Sequence, residues 1–354
     1  MMLTCDPADS MAAGADLEPK RRTVFVGLLP YCAWLLLASV VTALPLIVRV
    51  QGAEAQGQLA EVQRLSQEAE RLAAAGQSAE AVPLVQRALA LGEEALGPEH
   101  PAVAVSLVNL AVAYRAQGKY PDAEMLHRRA LAIRQKAFGP QHPTVASSLN
   151  DLAELYRAQG RYSEAEPLYQ RALAIGEATL GPEHPTVAAS LNNLALLYRA
   201  QGRYSEAEPL HQRALAIGET ALGPEHPAVA VSLNNLALLY RAQGRYSEAE
   251  PLYRRALAIG EKALGAEHPY VATSLNNLAG LYVAQGKYAE AEPLYRRALV
   301  AAEKALGPEH PNLAVSLEGL AAVLRKTDRN AEAEQMQDRA TLINAKRAQT
   351  SPTR

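Results

Sequence analysis

The chain has little cysteine, few large aromatic residues and almost no net charge. Its only two cysteines are Cys5 and Cys32, so the chain beyond residue 32 can hold neither a disulfide nor a cysteine metal site. Lys and Arg number 35 against 37 Asp and Glu, which gives a net charge of −2 and excludes the basic excess of a nucleic-acid-binding protein. With 2 Phe and 1 Trp among 49% hydrophobic residues, the core must be built largely from alanine and leucine.

Motifs for catalysis and nucleotide binding are also missing. The sequence has no P-loop, no G-x-S-x-G, no H-E-x-x-H, no G-x-G-x-x-G and no C-x-x-C. Carboxylate pairs such as Glu164 and Glu166 recur at a fixed interval along the chain, whereas a catalytic pair is expected once. We therefore predict that the protein is not an enzyme and uses no cofactor.

What the sequence does have is a repeat. Residues 185–226 and 227–268 are consecutive segments of 42 residues that differ at only six positions. A fixed period of this length predicts a solenoid of stacked helix pairs rather than a single globular core. A His-Pro pair marks each period, with the histidines at His100, His142, His184, His226, His268 and His310.

Each repeat contains two helical patterns. In the first, Leu191, Leu194, Ala195 and Tyr198 lie on one face of a helix that begins at Pro185. Gly202 is suited to the left-handed conformation that ends such a helix. The pattern S-x-x-E predicts a capping box at the start of the second helix. This box is formed by Ser163 with Glu166, Ser205 with Glu208 and Ser247 with Glu250. The second buried stripe is predicted to contain Ala207, Leu210 or His211, Ala214 and Leu215 and to continue through Ala221 and Leu222.

The spacing Leu194-Ala195, Tyr198, Gly202, Tyr204, Ala207, His211 and Ala214-Leu215 resembles the tetratricopeptide repeat. The period of 42 residues and the motifs L-N-N-L-A, Q-G-x-Y-x-E-A-E and L-G-P-E-H-P resemble the kinesin-light-chain type of that repeat. The resemblance implies an all-α fold, a right-handed superhelical solenoid of about seven antiparallel helix pairs. We expect this array to span residues 58–346, with polar terminal pairs as caps and a disordered tail at 347–354.

The N-terminal region has a different character. Residues 23–48 carry no charge and are long enough to span a bilayer as a signal-anchor helix. Residues 20–22 are cationic, which predicts that the N-terminal tail, 1–22, is cytoplasmic and that the repeats lie outside the cytoplasm after a linker at 49–57. The alternative is a signal peptide cleaved near Ala55, where Ala53-Glu54-Ala55 forms an A-x-A site, and a secreted array.

A second face of the first helices suggests a binding site. Asn192, Leu196 and Arg199 are separated by four and three residues, so they share a face distinct from the core. Down the array this face carries an asparagine ladder, Asn150, Asn192, Asn234 and Asn276, and an arginine ladder, Arg115, Arg157, Arg199 and Arg241. The resemblance implies that such residues line a concave groove and hold an extended peptide, the asparagines through its backbone and the arginines through acidic side chains. The alternative is that duplication copied a solvated helix face. The repeats depart from uniformity at Val108, Glu154, Val283 and Glu318, which we expect to set the register of a ligand.

The His-Pro loops could suggest metal binding, but their spacing argues against it. Packed helices lie about 8–10 Å apart, whereas a zinc–nitrogen bond is about 2 Å long. We predict no metal site, and we expect each histidine to close its turn and cover the start of the next helix.

These patterns favour a membrane-anchored scaffold that binds a peptide or protein, without nucleic acid. The alternative function is a structural repeat protein that self-associates through its convex face or the ends of the array.

Overall fold

The structure, a computed structural model, describes residues 53–74 and 77–350. This part of the chain is helical and forms seven consecutive helix pairs. The helices are α1 (Ala53–Ala74), α2 (Ser78–Leu96), α3 (Val103–Ala116), α4 (Tyr120–Phe138), α5 (Pro143–Ala158), α6 (Tyr162–Leu180), α7 (Pro185–Ala200), α8 (Tyr204–Leu222), α9 (Pro227–Ala242), α10 (Tyr246–Leu264), α11 (Pro269–Ala284), α12 (Tyr288–Leu306), α13 (Leu313–Lys326) and α14 (Asn330–Thr350). The predicted repeat architecture is confirmed.

The first helix of each central repeat has well-defined ends. In α7, His184 is the N-cap residue, and its Nδ1 accepts a hydrogen bond from the backbone N–H of Thr186 at 3.2 Å. At the other end Gly202 takes φ 75°, a conformation that glycine adopts without steric cost. The N–H of Gly202 donates to the carbonyl of Arg199, and the N–H of Arg203 donates to that of Tyr198. This pair of bonds is a Schellman motif, which satisfies the last carbonyls of the helix.

The predicted capping box at the second helix is wrong. Helix α8 begins at Tyr204, and its N-cap residue Arg203 makes no side-chain capping bond. Because Tyr204 is already helical, Ser205 lies inside the first turn, where its hydroxyl cannot cap the helix. The Glu208 carboxylate instead accepts hydrogen bonds from Arg245 at 2.7 Å and from the Tyr240 hydroxyl at 3.1 Å, both in the next repeat.

The core lies between the helices of a pair and between neighbouring pairs. The predicted first-helix stripe, Leu191, Leu194, Ala195 and Tyr198, is buried. On the second helix Ala207, His211 and Ala214 are buried and Leu215 is partly buried, as predicted. Ala221 and Leu222 are exposed, which corrects the prediction, because the last turn of α8 projects beyond the packed layer. Ile217 and Gly218, which the sequence reading omitted, are buried one turn earlier.

Two predicted boundaries also shift. Helix α1 begins at Ala53, inside the expected linker, and α14 continues to Thr350, inside the expected disordered tail. Alanine and glutamine are abundant at both ends, and both residues favour the helix.

First helices of successive repeats contact one another directly, in the pairs α5–α7, α7–α9, α9–α11 and α11–α13. Second helices contact their own partner and the next first helix, and within 53–74 and 77–350 they do not pack comparably on each other. The first helices therefore lie on the inner, concave side of the array. We call the surface formed by α3, α5, α7, α9 and α11 the inner groove.

Within the two described ranges, no helix is sufficiently long and apolar to cross a membrane. The predicted tail at 1–22, the apolar span at 23–48 and most of the linker lie outside the described residues.

Candidate functional site

The arginine ladder runs along the inner groove. Its members occupy the last turn of α3, α5, α7 and α9, where a cation also complements the partial negative charge of the helix C-terminus. All four are partly buried rather than fully solvated. The four arginines thus occupy the same position in four successive first helices, and their predicted place on one ligand-binding face stays a prediction.

The asparagine ladder is used by the array itself. Asn192 is 7% exposed; its Nδ2 donates to Ser232 Oγ of the next repeat at 2.9 Å, and its Oδ1 lies 2.8 Å from His211 Nδ1. Asn234 is 1% exposed and accepts a hydrogen bond from Asn277 Nδ2 at 2.9 Å. These contacts stabilise the stacking of repeats. The predicted role of Asn192 and Asn234 in peptide binding stays a prediction.

The two outer members of the asparagine ladder are partly buried and follow the same pattern. Asn150 Nδ2 donates to Ser190 Oγ at 3.2 Å, and Asn276 Oδ1 accepts from Ser316 Oγ at 3.0 Å. In each case the partner belongs to the following repeat. The role of the arginine ladder in binding a ligand stays a prediction.

Glu154 changes the N-terminal end of the arginine ladder. Its carboxylate accepts two hydrogen bonds from Arg157, Nε to Oε2 at 2.7 Å and Nη2 to Oε1 at 2.8 Å. Arg115 Nη1 donates to Oε1 at 3.3 Å, and the buried Tyr169 hydroxyl donates to Oε2 at 3.1 Å. Glu154 itself is only 9% exposed, so its oxygens are enclosed by these partners. A bidentate pair between arginine and a carboxylate is among the strongest side-chain hydrogen-bonding arrangements.

The C-terminal end of the ladder has a different environment. Burial, together with the nearby cations of Arg157 and Arg241, lowers the pKa of Arg199 to about 10, so Arg199 is still protonated at neutral pH. Arg241 forms no ion pair with any residue in 53–74 or 77–350. Its Nη1 lies 2.8 Å from the point where a Cβ on Gly280 would stand, so the guanidinium occupies space that a side chain there would take. Two neighbouring cations thus lie together in a partly desolvated surface.

Sequence reasoning missed a polar cluster beside Glu154. Arg134 stands where the following repeats have Gly176, Gly218 and Gly260, and its Nη1 donates to Ser148 Oγ at 2.6 Å. Burial raises the pKa of Asp151 to about 6, although Arg134 opposes that shift. The departure of Arg134 from the repeat pattern was the available signal. Arg325 occupies the ladder position in the last repeat, but it is exposed and donates to Gln337 Oε1 at 3.2 Å.

The loop histidines close their turns, as predicted, and four of them, His142, His184, His226 and His268, are the N-cap residues of the following helices. In every His-Pro turn, from His100 to His310, the histidine Nδ1 accepts a hydrogen bond from the backbone N–H two residues later. Across the described ranges, no group of three or more His, Cys, Asp or Glu residues is arranged to hold a metal ion.

Two further histidines, His127 and His211, lie inside the array at the same helix position. Both are buried. Burial, and then the charges of Arg115 and Arg134, lowers the pKa of His127 to about 4. Burial, and then the charge of Arg199, lowers the pKa of His211 to about 3. These side chains are therefore neutral in the folded protein at physiological pH, and each fills the space taken by Tyr169 or Tyr253 in sibling repeats.

Comparison with known families agrees with the array of helix pairs. The tetratricopeptide-repeat profile matches six overlapping segments, 65–136, 107–178, 144–220, 186–262, 228–304 and 270–343. The chain belongs to the tetratricopeptide-repeat family. Its repeats are of the kinesin-light-chain type. No curated protein matches the chain with significant similarity.

Several solved structures are similar. BtubC (BKLC) from P. vanneervenii is 25% identical, with a TM-score of 0.52, over 68% of this chain and 94% of that one. A kinesin-light-chain-type protein of P. anserina with nearly identical repeats is 35% identical, with a TM-score of 0.48, over 58% of this chain and 97% of that one. The Rap conjugation gene regulator of plasmid pLS20, solved in complex with a Phr peptide, is 13% identical, with a TM-score of 0.62, over 86% of this chain and 79% of that one. The last likeness concerns the fold alone.

Proposed function

We propose that this protein is a non-enzymatic scaffold that holds an extended, acidic peptide or protein segment in its inner groove. The observation that supports this proposal is the placement of Arg199 and Arg241 side by side on the concave surface, partly desolvated and close enough for each to affect the other. An acidic ligand would relieve the repulsion between these like charges. A tetratricopeptide array is a general scaffold for protein binding, and the Rap regulator, which shares the fold, was solved with a peptide.

The spacing of the two arginines suits an extended ligand. Successive inner helices contact each other, and packed helices lie about 8–10 Å apart. In the polyproline II conformation, side chains three residues apart lie on one side of the chain and about 9 Å apart. Two carboxylates at positions i and i+3 of a peptide can therefore each reach one arginine. A shielded charge-assisted hydrogen bond contributes about 1.5–3 kcal/mol.

The proposed location is a membrane surface. The uncharged span at 23–48 would anchor the chain, and the cationic residues 20–22 would keep the N-terminus in the cytoplasm with the repeats outside it. Cleavage near Ala55 would instead release the same array as a secreted protein.

The groove is tested with the full-length chain and a labelled peptide that carries two glutamates three residues apart among alanine, serine and glycine. Fluorescence anisotropy measures the Kd of the parent and of the double variant Arg199→Ala/Arg241→Ala. We expect the double variant to lose about two orders of magnitude in affinity with unchanged helix content. Affinity of the parent should also fall with added salt, because salt screens exposed charges over about 8–10 Å.

The control is Arg254→Ala, which removes the same charge from the second helix. Arg254 is 63% exposed and is engaged with Glu250 and the Tyr282 hydroxyl. This variant should bind like the parent. If the double variant also binds like the parent, the groove proposal fails, and self-association through the convex face or the array ends takes its place.

A further inference from the structure

The two ends of the arginine ladder differ because of one residue. Glu154 occupies the helix position that is filled in the other repeats by Glu70, Val112, Leu196, Leu238, Gly280 and Ala322. The only two carboxylates at this position, Glu70 and Glu154, thus both lie in the N-terminal part of the array. From the fourth helix pair onward the position is apolar or carries no side chain.

Glu154 takes up the hydrogen-bonding capacity of two ladder arginines. It binds Arg157 through both oxygens at 2.7 and 2.8 Å and Arg115 through Oε1 at 3.3 Å. The Tyr169 hydroxyl donates to Oε2 from below and holds the carboxylate in place. This arrangement is what an acidic ligand side chain would form with the same arginines, but the carboxylate is supplied by the chain itself.

The C-terminal arginines have no such neighbour at the matching position. Leu196 and Leu238 stand where a second and a third carboxylate would be, and Gly280 leaves its space to the guanidinium of Arg241. Charge along the inner groove is therefore uneven. The Arg115–Arg157 end is largely compensated by Glu154, whereas the Arg199–Arg241 end is not compensated in this way.

We propose that Glu154 is a specificity-determining residue: it acts as a built-in carboxylate that occupies Arg115 and Arg157, so that a ligand presents its acidic residues only to Arg199 and Arg241. This inference rests on the proposed function. The ligand segment that lies along the N-terminal end of the groove is then neutral, because a further acidic residue there would meet Glu154 and find the arginines already bound.

The experiment compares two labelled peptides on the full-length chain. Each peptide has about 15 residues, roughly 45 Å in polyproline II conformation, which is enough to pass four repeats. One carries two glutamates at a spacing of three residues, and the other carries four at the same spacing. The ratio of their Kd values measures whether additional acidic residues find additional arginines.

In the parent protein we expect the two Kd values to agree within about threefold, since Glu154 already binds Arg115 and Arg157. In Glu154→Gln, which keeps the shape of the side chain and removes its charge, the four-glutamate peptide should bind roughly tenfold or more tightly than the two-glutamate peptide. Glu154→Leu installs the residue that stands at positions 196 and 238, so the repeat tolerates it, and it should behave in the same way. In both variants the Kd of the four-glutamate peptide should also depend more steeply on salt concentration than that of the two-glutamate peptide, because more charge pairs are formed. A purely structural role of Glu154 would not produce this difference.

Glu225→Gln is the matched control. It removes one carboxylate that is exposed and paired with Lys262 in the inter-repeat turn, and it should leave the Kd ratio of the parent unchanged. If the parent already binds the four-glutamate peptide tenfold more tightly, or if both Glu154 variants keep the parental ratio, the inference is overturned. Failure of the proposed function looks different, because the Arg199→Ala/Arg241→Ala variant would then bind the two-glutamate peptide as tightly as the parent does.

Discussion

Replacing His211 by tyrosine should make the array more resistant to acid. His211 is fully buried in the folded chain, with its Nδ1 at 2.8 Å from Asn192 Oδ1, and its pKa is lowered to about 3 by burial and then by Arg199. In the unfolded chain the pKa of a histidine is about 6.5. Below that pH the unfolded state binds a proton that the folded state does not accept, so stability falls as the pH drops from about 6.5 towards 3.

The size of this effect follows from the pKa difference. Between pH 6.5 and pH 5 the pH is lowered by about 1.5 units, and each unit contributes about 1.4 kcal/mol, so the folded state loses about 2 kcal/mol at pH 5. Tyrosine does not titrate in this range. It already occupies the same helix position in sibling repeats, as Tyr169 and Tyr253, so the substitution fits the architecture.

Urea unfolding followed by circular dichroism at pH 7 and pH 5 measures the effect. The stability difference between His211→Tyr and the parent should shift by about 2 kcal/mol in favour of the variant when the pH is lowered to 5. Gln212→Arg, an exposed neighbour that already occurs as Arg254 in the next repeat, is the control and should follow the parent. Adding His127→Tyr should roughly double the gain, since the pKa of His127 is about 4. Equal pH dependence of the parent and His211→Tyr would refute the argument.

Three other perturbations test the packing, the caps and the topology. Leu194→Ala leaves a cavity in the core and should lower the free energy of unfolding by about 2–5 kcal/mol. Hydrogen exchange should rise mainly in the third to fifth helix pairs, because each repeat couples mainly to its neighbours. An equal rise in all seven pairs would contradict this coupling. His184→Ala removes the bond to the Thr186 N–H and should cost about 1 kcal/mol in a urea titration, and no loss would mean that the cap is dispensable. Replacing residues 20–22 by glutamate should disturb membrane insertion with the N-terminus in the cytoplasm. A reporter fused after Arg354 measures this, and in the parent it should be active outside the cytoplasm. A reporter that is active only inside the cytoplasm would refute the exported array.

Some features of the proposed groove can be predicted from the sequence, and others depend on how the repeats stack. The side-by-side position of Arg199 and Arg241 follows from the period of 42 residues, because equal residues in stacked repeats share one face. Their burial and the close approach of Arg241 to Gly280 depend on how far each repeat is shifted against the next, and no sequence pattern predicts that shift.

The sequence by itself determined the helices and the turns between them. The signals that predict them act within a few residues: helix periodicity, the proline after each histidine, and the glycine that ends a first helix, such as Gly202. The seven helix pairs and the Leu191–Tyr198 core could therefore be predicted without tertiary information. Local signals were less reliable at element ends: the second helix begins at Tyr204 rather than at the predicted Ser205.

Only the tertiary structure decided which polar residues of the inner face are available. Asn192 finds its partner Ser232 forty residues away, and Arg115 finds Glu154 at a similar distance in the chain. Such hydrogen bonds form only when neighbouring repeats stack, so a helix-face pattern shows that asparagines and arginines share a surface but not which of them are already satisfied. Stacking uses the asparagines to join the repeats, and Glu154 makes the N-terminal arginines differ from Arg199 and Arg241 because its carboxylate is held between them.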